Sequence, residues 1–394
     1  MKKTVLSMII LFLLVYSYLP AQNSSASEAY IKAMTSNSPE ERVRLLKDYL
    51  SKFSGQGSEY ENFANANLAL LNYSGKTQKD TTRYGEKALT LGGLDDLTKC
   101  QVLVTVAGVY SNSGENLEKA KTYSMQAVNA AKANKDKEDS GATPAQWNQL
   151  VGAGYYVHAQ AMEKTNNNSG AVDSYIASYN ILKNKQIATS LANLGKSLYE
   201  AKSYAAAEKA FKIATPILGD FGSTVLFAKT LHRLDKKDEA LKYYKQAYTK
   251  QKSGEIAYNI GLILAGKTQS NPALTNETIQ YLLDASFLSP ANSKKAMDLA
   301  ERLYFNKDPK YNESIKAIAE KSKNIEDLTN TFNQKFGEKT EEELSDAEKN
   351  EMQDILKKIE AEQNAIAKLQ SEQQLVLESF SKLIENTKQK LGVS

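Results

Sequence analysis

The 394-residue sequence holds one cysteine, two histidines, one tryptophan and seven prolines. A single cysteine excludes an internal disulfide. H-E-x-x-H, G-x-S-x-G and phosphate-loop patterns do not occur, and an enzyme needs convergent reactive groups, so the chain reads as non-enzymatic, with no cofactor and no metal ligands. Charge of one sign is missing too. Lys and Arg number 50 against 46 Asp and Glu, a formal balance of +4 that implies neither nucleic acid nor an anionic membrane surface. No apolar run long enough to span a membrane follows the first twenty residues. No proline follows Pro309, so nothing of that kind interrupts a helix beyond it.

The few reactive side chains have ordinary explanations. Cys100 shares a helical face with Leu103, Ala107 and Tyr110, as a buried apolar thiol would. An intermolecular disulfide is the other reading. His158 sits beside Ala159 as a lone core histidine without metal partners. Gly152-Ala153-Gly154 lacks the third glycine and the preceding strand of a dinucleotide loop, and reads instead as a close approach of two helices. Glu341, Glu342 and Glu343 suit an acidic first turn of a helix.

At the start, Lys2 and Lys3 precede an apolar run from Val5 to Leu19, and Leu19-Pro20-Ala21 offers a small residue before a cut at Gln22. That is the pattern of a secretory signal peptide over residues 1–21, its core short for a membrane span. An uncleaved anchor is the alternative. Residues 22–28 are rich in Ser and Asn and read as disordered.

Most of the remaining chain is paired apolar stripes at helical spacing. The clearest pair runs from Leu191 to Gly219. Leu191, Leu194 and Leu198 form one stripe, Ala207, Phe211, Ala214 and Leu218 the other, with a polar turn at Glu200–Ser203. Small Gly195 and Ala207 mark where the helices cross. Small residues recur at Ala171, Ala207, Ala240 and Thr278, at intervals of 36, 33 and 38 residues. The stretch resembles a tetratricopeptide repeat, whose unit is 34 residues: Leu194-Gly195 match its L-G, and Ala207, Phe211 and Ala214 its A, F and A. The resemblance implies an all-α fold, a right-handed α-α solenoid of helix-turn-helix repeats over residues 22–310, with a tail over 311–394. Ser38-Pro39-Glu40-Glu41 starts the helix of an atypical first pair, and a second pair places Leu68, Ala69, Leu71 and Asn72 on its first helix. A polar stretch at 132–144 interrupts the array, with a helix restart at Pro144.

In tetratricopeptide proteins the first helix of each pair lines a groove. The resemblance places Tyr156, Gln160, Lys196, Tyr199, Glu200, Lys229, His232, Arg233, Tyr258 and Leu262 there. Basic side chains beside tyrosines suit an extended acidic peptide or a free carboxylate; the alternative is a plain solvated face. The family's carboxylate clamp is absent, because Ala192 and Leu226 occupy two of its required positions.

The tail carries a heptad seam. Met352, Ile359, Ile366, Gln373 and Phe380 recur every seven residues, with Ile355, Leu369, Val376 and Leu383 three further on and Glu362 breaking the row. Thr340 or Ser345 can cap this helix, each with Glu three residues later. The tail interface is then Ile359, Ile366, Leu369, Val376, Phe380 and Leu383. It either self-associates or captures a partner helix, the favoured reading, or folds back on the array. Together these features describe an exported scaffold or adaptor of a bacterial envelope or periplasm that binds a protein or peptide partner. The alternatives are a module for a glycan or peptidoglycan fragment and an accessory subunit of an envelope enzyme. The signal peptide predicts a mature N-terminus at Gln22; an intact mass retaining Met1 on the exported protein would refute it.

Overall fold

The computed structural model describes residues 25–393, and the leader expected over 1–21 lies outside them. Among the described residues there are seventeen α-helices and no strand. The fold is all-α, built of successive helix-turn-helix pairs. The described residues form two compact units that divide between Leu226 and Phe227.

The first unit contains α1 (Ser25–Met34), α2 (Pro39–Phe53), α3 (Glu61–Leu70), α4 (Gln78–Leu91), α5 (Asp96–Ser113), α6 (Leu117–Asn134), α7 (Pro144–Lys164), α8 (Asn168–Leu182), α9 (Lys185–Glu200), α10 (Tyr204–Leu218) and the start of α11 (Phe221–Arg233). Successive helices pack side by side: α3 on α4, α5 on α6, α7 on α6 and α8, α9 on α10. Local chemistry sets their starts. Ser38 accepts a bond from the Glu41 N–H, with Pro39 in the first turn. Thr77 and Thr143 form reciprocal capping boxes with Asp80 and Gln146.

Three boundaries differ from expectation. The segment read as disordered is helical from Ser25, where α1 packs on α2. Helix α3 stops at Leu70, leaving Leu71 and Asn72 outside. The Lys76 ammonium donates to the Ala69 and Leu71 carbonyls at 2.6 and 2.7 Å, a cation satisfying the acceptors of a helix end. Helix α6 runs on to Asn134, whose side chain donates to Asp96 at 2.9 Å and to the Ala130 carbonyl at 3.0 Å, so the interruption begins only at Lys135.

Repetition shows in the backbone as well as in the sequence. The turns after α7, α9 and α11 each place a non-glycine residue in the left-handed region: Asn166 at φ 60°, Lys202 at 58° and Asp235 at 58°. The next residue in each case has ψ close to 60°. Its N–H returns to the first helix: Asn167 to Met162 at 2.9 Å, Ser203 to Leu198 at 2.8 Å, Lys236 to Leu231 at 2.9 Å. Three turns sharing one strained conformation mark three copies of one structural unit.

Within a pair, closeness comes from missing side chains. A Cβ on Gly152 would lie 2.5 Å from Leu182 Cγ, and one on Gly154 2.7 Å from Val128. The sequence's Gly-Ala-Gly therefore lets α7 meet α8 on one side and α6 on the other, as its spacing suggested. Ser178 adds a buried bond to the Gly152 carbonyl at 2.8 Å. Gly195 faces the Phe211 ring at 3.1–3.2 Å, one turn on from buried Ala207. Cys100 is fully buried among Val128, Ala131 and Trp147, and burial pushes its thiol up to about 12, which removes it from thiolate chemistry.

The second unit takes the rest of α11, then α12 (Lys237–Lys250), α13 (Gly254–Ala265), α14 (Thr275–Leu288), α15 (Ser293–Asn306), α16 (Pro309–Phe336) and α17 (Asp346–Leu391). The same device joins α13 to α14, where a Cβ on Gly261 would lie 2.6 Å from Leu282. The long insertion before α14 folds into a 3-10 turn at Pro272–Leu274.

Helix α17 holds 46 residues, about 69 Å at 1.5 Å per residue. Its seam lies antiparallel on α16, the fold-back arrangement that the sequence left open beside self-association or capture of a partner helix. Phe336, Leu344 and Ile355 form a small core with Leu328, Phe332, Met352 and Ile359 at the hairpin's closed end. Ile366, Leu369, Val376 and Leu383 are partly buried along the seam. The two polar breaks have partners on α16. Glu362 accepts from Lys321 at 2.7 Å and from Asn324 at 3.2 Å, while Gln373 donates to the Ser314 hydroxyl at 2.8 Å. The last part of α17 reaches α14 and α15. Phe380 is buried with its ring 4.8 Å from Tyr304 and 5.5 Å from Phe305, and Gln280 donates to Thr387 at 3.2 Å. Packing on α16 covers part of the seam's apolar surface, while Leu356, Leu375 and Leu377 of α17 remain exposed. Replacing Ile366 and Leu369 together by Asp should therefore split the hairpin within the monomer, costing about 2 kcal/mol or more, as truncating apolar contacts does. Thermal unfolding and trypsin cleavage of 337–391 measure this; an unaltered melt would show that the seam is not held by α16.

Candidate functional site

The side chains that the first helices turn away from the core are the candidate binding surface, and each unit carries its own set. In the first unit, α7 supplies Tyr156 and Gln160, and α9 supplies Lys196, Tyr199 and Glu200. The apolar stripe Leu191, Leu194, Leu198 holds α9 in the core. That leaves Lys196 and Glu200 exposed and Tyr199 half-buried, its ring 5.5 Å from Tyr204. Tyr156 is recessed. Its ring meets Tyr175 edge-on at 5.6 Å, and burial raises its hydroxyl pKa against the easing effect of a bond with Ser190. Tyr175 in turn donates to Glu163 at 3.0 Å. Tyr156 and Gln160 are both only partly accessible.

In the second unit, Lys229, His232 and Arg233 stand near the end of α11, and Tyr258 and Leu262 on α13. The Lys229 ammonium is 2.7 Å from the Glu255 carboxylate, an ion pair joining α11 to α13. This halves the cationic character expected there. His232 lies edge-on to Tyr244 at 6.0 Å. Leu262 is 39% exposed, so an apolar spot lies on the same helix as half-buried Tyr258. Sequence reasoning missed Glu255. Its signal was available, because it lies one helical turn before Asn259 and Tyr258 on the outward side of α13, but charge partners on different helices are invisible to a single-helix pattern.

The two histidines differ in surroundings and agree in direction. His158 Nδ1 lies 2.9 Å from the Ser174 hydroxyl, a lone half-buried imidazole as expected. Burial, with Lys121 nearby, lowers its pKa below 6.5. Burial also lowers His232, and Lys237 and Arg233 add to it. Among the described residues no group of three His, Cys, Asp or Glu side chains is placed to hold a metal ion. No helix of the described residues is long and apolar enough to cross a membrane.

No family model matches the chain, and no curated protein does. Solved structures do. RapI in its apo form is 13% identical over 71% of this chain and 97% of its own, with a TM-score of 0.36. The Cut9–Hcn1 hetero-tetramer of APC/C is 13% identical over 71% of this chain and 67% of its own, with a TM-score of 0.26. At these scores neither likeness bears on function, and the repeat architecture rests on the chain's own helices and turns.

The histidines give a pH prediction. A folded pKa below the unfolded value means that the folded chain binds fewer protons, so stability held above pH 6.5 falls as the pH drops through that value. Histidine ring-proton NMR should give two titrations, both below 6.5, and His158→Gln with His232→Gln should flatten the loss of stability under acid. A titration at or above 6.5 for both rings would contradict this placement.

Proposed function

We propose that this chain is an exported protein-interaction scaffold of a bacterial cell envelope, non-enzymatic, which holds protein or peptide partners on the outward faces of its first helices. One observation carries the reading: the core is closed by one stripe of each first helix, and the opposite face keeps Lys196, Tyr199 and Glu200 in one unit and Arg233, Tyr258 and Leu262 in the other accessible. Cation, carboxylate, aromatic and aliphatic groups side by side are what a peptide surface needs, since tyrosine and arginine anchor interfaces and exposed charges set approach and specificity. The repeated turn supports the same reading, because a stack of identical units extends such a face without building a catalytic cavity. Export rests on Lys2, Lys3 and the Val5–Leu19 run.

The test is affinity capture from envelope extract on the immobilised mature protein, with wild type beside a Lys196→Ala, Lys229→Ala, Arg233→Ala variant. The variant should keep its helicity by circular dichroism and lose the captured partner. Binding to wild type should weaken with salt, as contacts screened over about 10 Å at 0.1 M do. A partner retained equally by both proteins would remove the first-helix faces from the reading.

A further inference from the structure

A second surface lies on the first unit, where α2 and α4 both pack on α3. Between them is an open cleft of about 670 Å³, with buried Asn65 of α3 among its lining residues. One wall is Lys47 and Ser51 on α2 with Ser54 just past its end, and the other is Arg83, Lys87 and Thr90 on α4, all exposed. Three cations and one carboxylate, Glu86, thus line one cleft.

The nearby carboxylates are already engaged. Glu61 accepts from the Ser54 hydroxyl at 2.5 Å and the Gly55 N–H at 2.8 Å, with Lys87 looser at 3.7 Å. Glu86 accepts from Tyr110 at 2.8 Å and from Lys119 and Tyr123 at 2.9 Å. Burial acts to raise both pKa values, and these donors outweigh it, so both carboxylates stay ionised and turned to partners of their own. Lys47 has no carboxylate within 4 Å among the described residues, and only the Tyr73 ring at 4.9 Å lies beneath it. Arg83 pairs with Asp80 at 3.0 Å and lies over the Tyr84 ring at 4.5 Å.

We propose that the α2–α4 cleft binds an extended acidic segment of a partner protein, a surface separate from the first-helix faces. Lys47 and Lys87, from opposite walls, receive carboxylates of the segment, and the Ser51 and Thr90 hydroxyls with the Arg83 guanidinium supply donors to its backbone carbonyls. A nucleic acid fits less well. Tyr84 is covered by Arg83 and gives no stacking platform, and the whole chain's charge is near balance.

Fluorescence anisotropy of labelled octaglutamate, titrated with the full-length protein at low salt, tests this. Lys47→Gln with Lys87→Gln should weaken binding by roughly tenfold, since two exposed charge contacts are lost. Lys185→Gln with Lys212→Gln, exposed on α9 and α10, should leave it unchanged. If the loss of the Lys87–Glu61 pair prevents folding, Lys47→Gln alone repeats the test without touching an ion pair. Absence of binding to wild type overturns the proposal. So does an equal loss in the α9–α10 control, or octathymidylate binding as tightly as octaglutamate and responding alike to the same variants.

Discussion

Three hairpins in this chain, α7–α8, α9–α10 and α13–α14, depend on a place where one helix gives up its side chain so that the other can come close. Leu182 occupies the space over Gly152, Val128 that over Gly154, the Phe211 ring that over Gly195 and Leu282 that over Gly261. Glycine inside a helix costs about 1 kcal/mol against alanine. Filling one of these contacts would force a packed neighbour aside at about 1–3 kcal/mol. The second effect wins, so the glycines belong to the packing and not to flexibility. Once two helices are that close, their remaining stripes face outward in a fixed direction, and which residues can meet a partner follows from that.

Helices, most of their boundaries and the repeat period were legible in the sequence because they depend on neighbours within one or two turns. Ser38 and Ser345 cap where their spacing says they should, and α7 starts at Pro144. The errors came where a distant group decides. Helix α3 ends early because Lys76 binds its terminal carbonyls, and nothing inside the helix foretells that. The candidate faces were legible as positions and not as chemistry. Lys196 and Glu200 are open as expected, whereas Lys229 is half neutralised by a glutamate on the next first helix and Tyr156 is drawn in against Tyr175. The α2–α4 cleft was not legible at all, because each of its stripes alone is an ordinary solvated helix face.

The tail shows the limit of a heptad pattern. A seam states that a second helix is needed and is silent on which chain supplies it. The answer lay in the seam's imperfections. Glu362 and Gln373 look like defects until they are set against Lys321 and Ser314, in reverse order along α16. Polar groups that find partners when one helix is laid antiparallel at one offset favour that offset, because a slip gives up both the Lys321–Glu362 ion pair and the Gln373–Ser314 bond.

The overshoot of α17 has a consequence for when the second unit becomes complete. Its α13–α14 hairpin joins neighbouring segments and can form as soon as both helices exist. The bond from Gln280 to Thr387 spans 107 residues, and Phe380 reaches rings on α15 from the far arm of the hairpin. A loose loop of that length would be entropically costly to close, but the α16–α17 hairpin is stiff and brings the end of the chain back along a set path. A chain still emerging from the ribosome has α14 and α15 in hand and lacks what covers them. The α17 segment from Phe380 to Thr387 is what seals the unit, so a chain stopped before Phe380 keeps every repeat and leaves their end open.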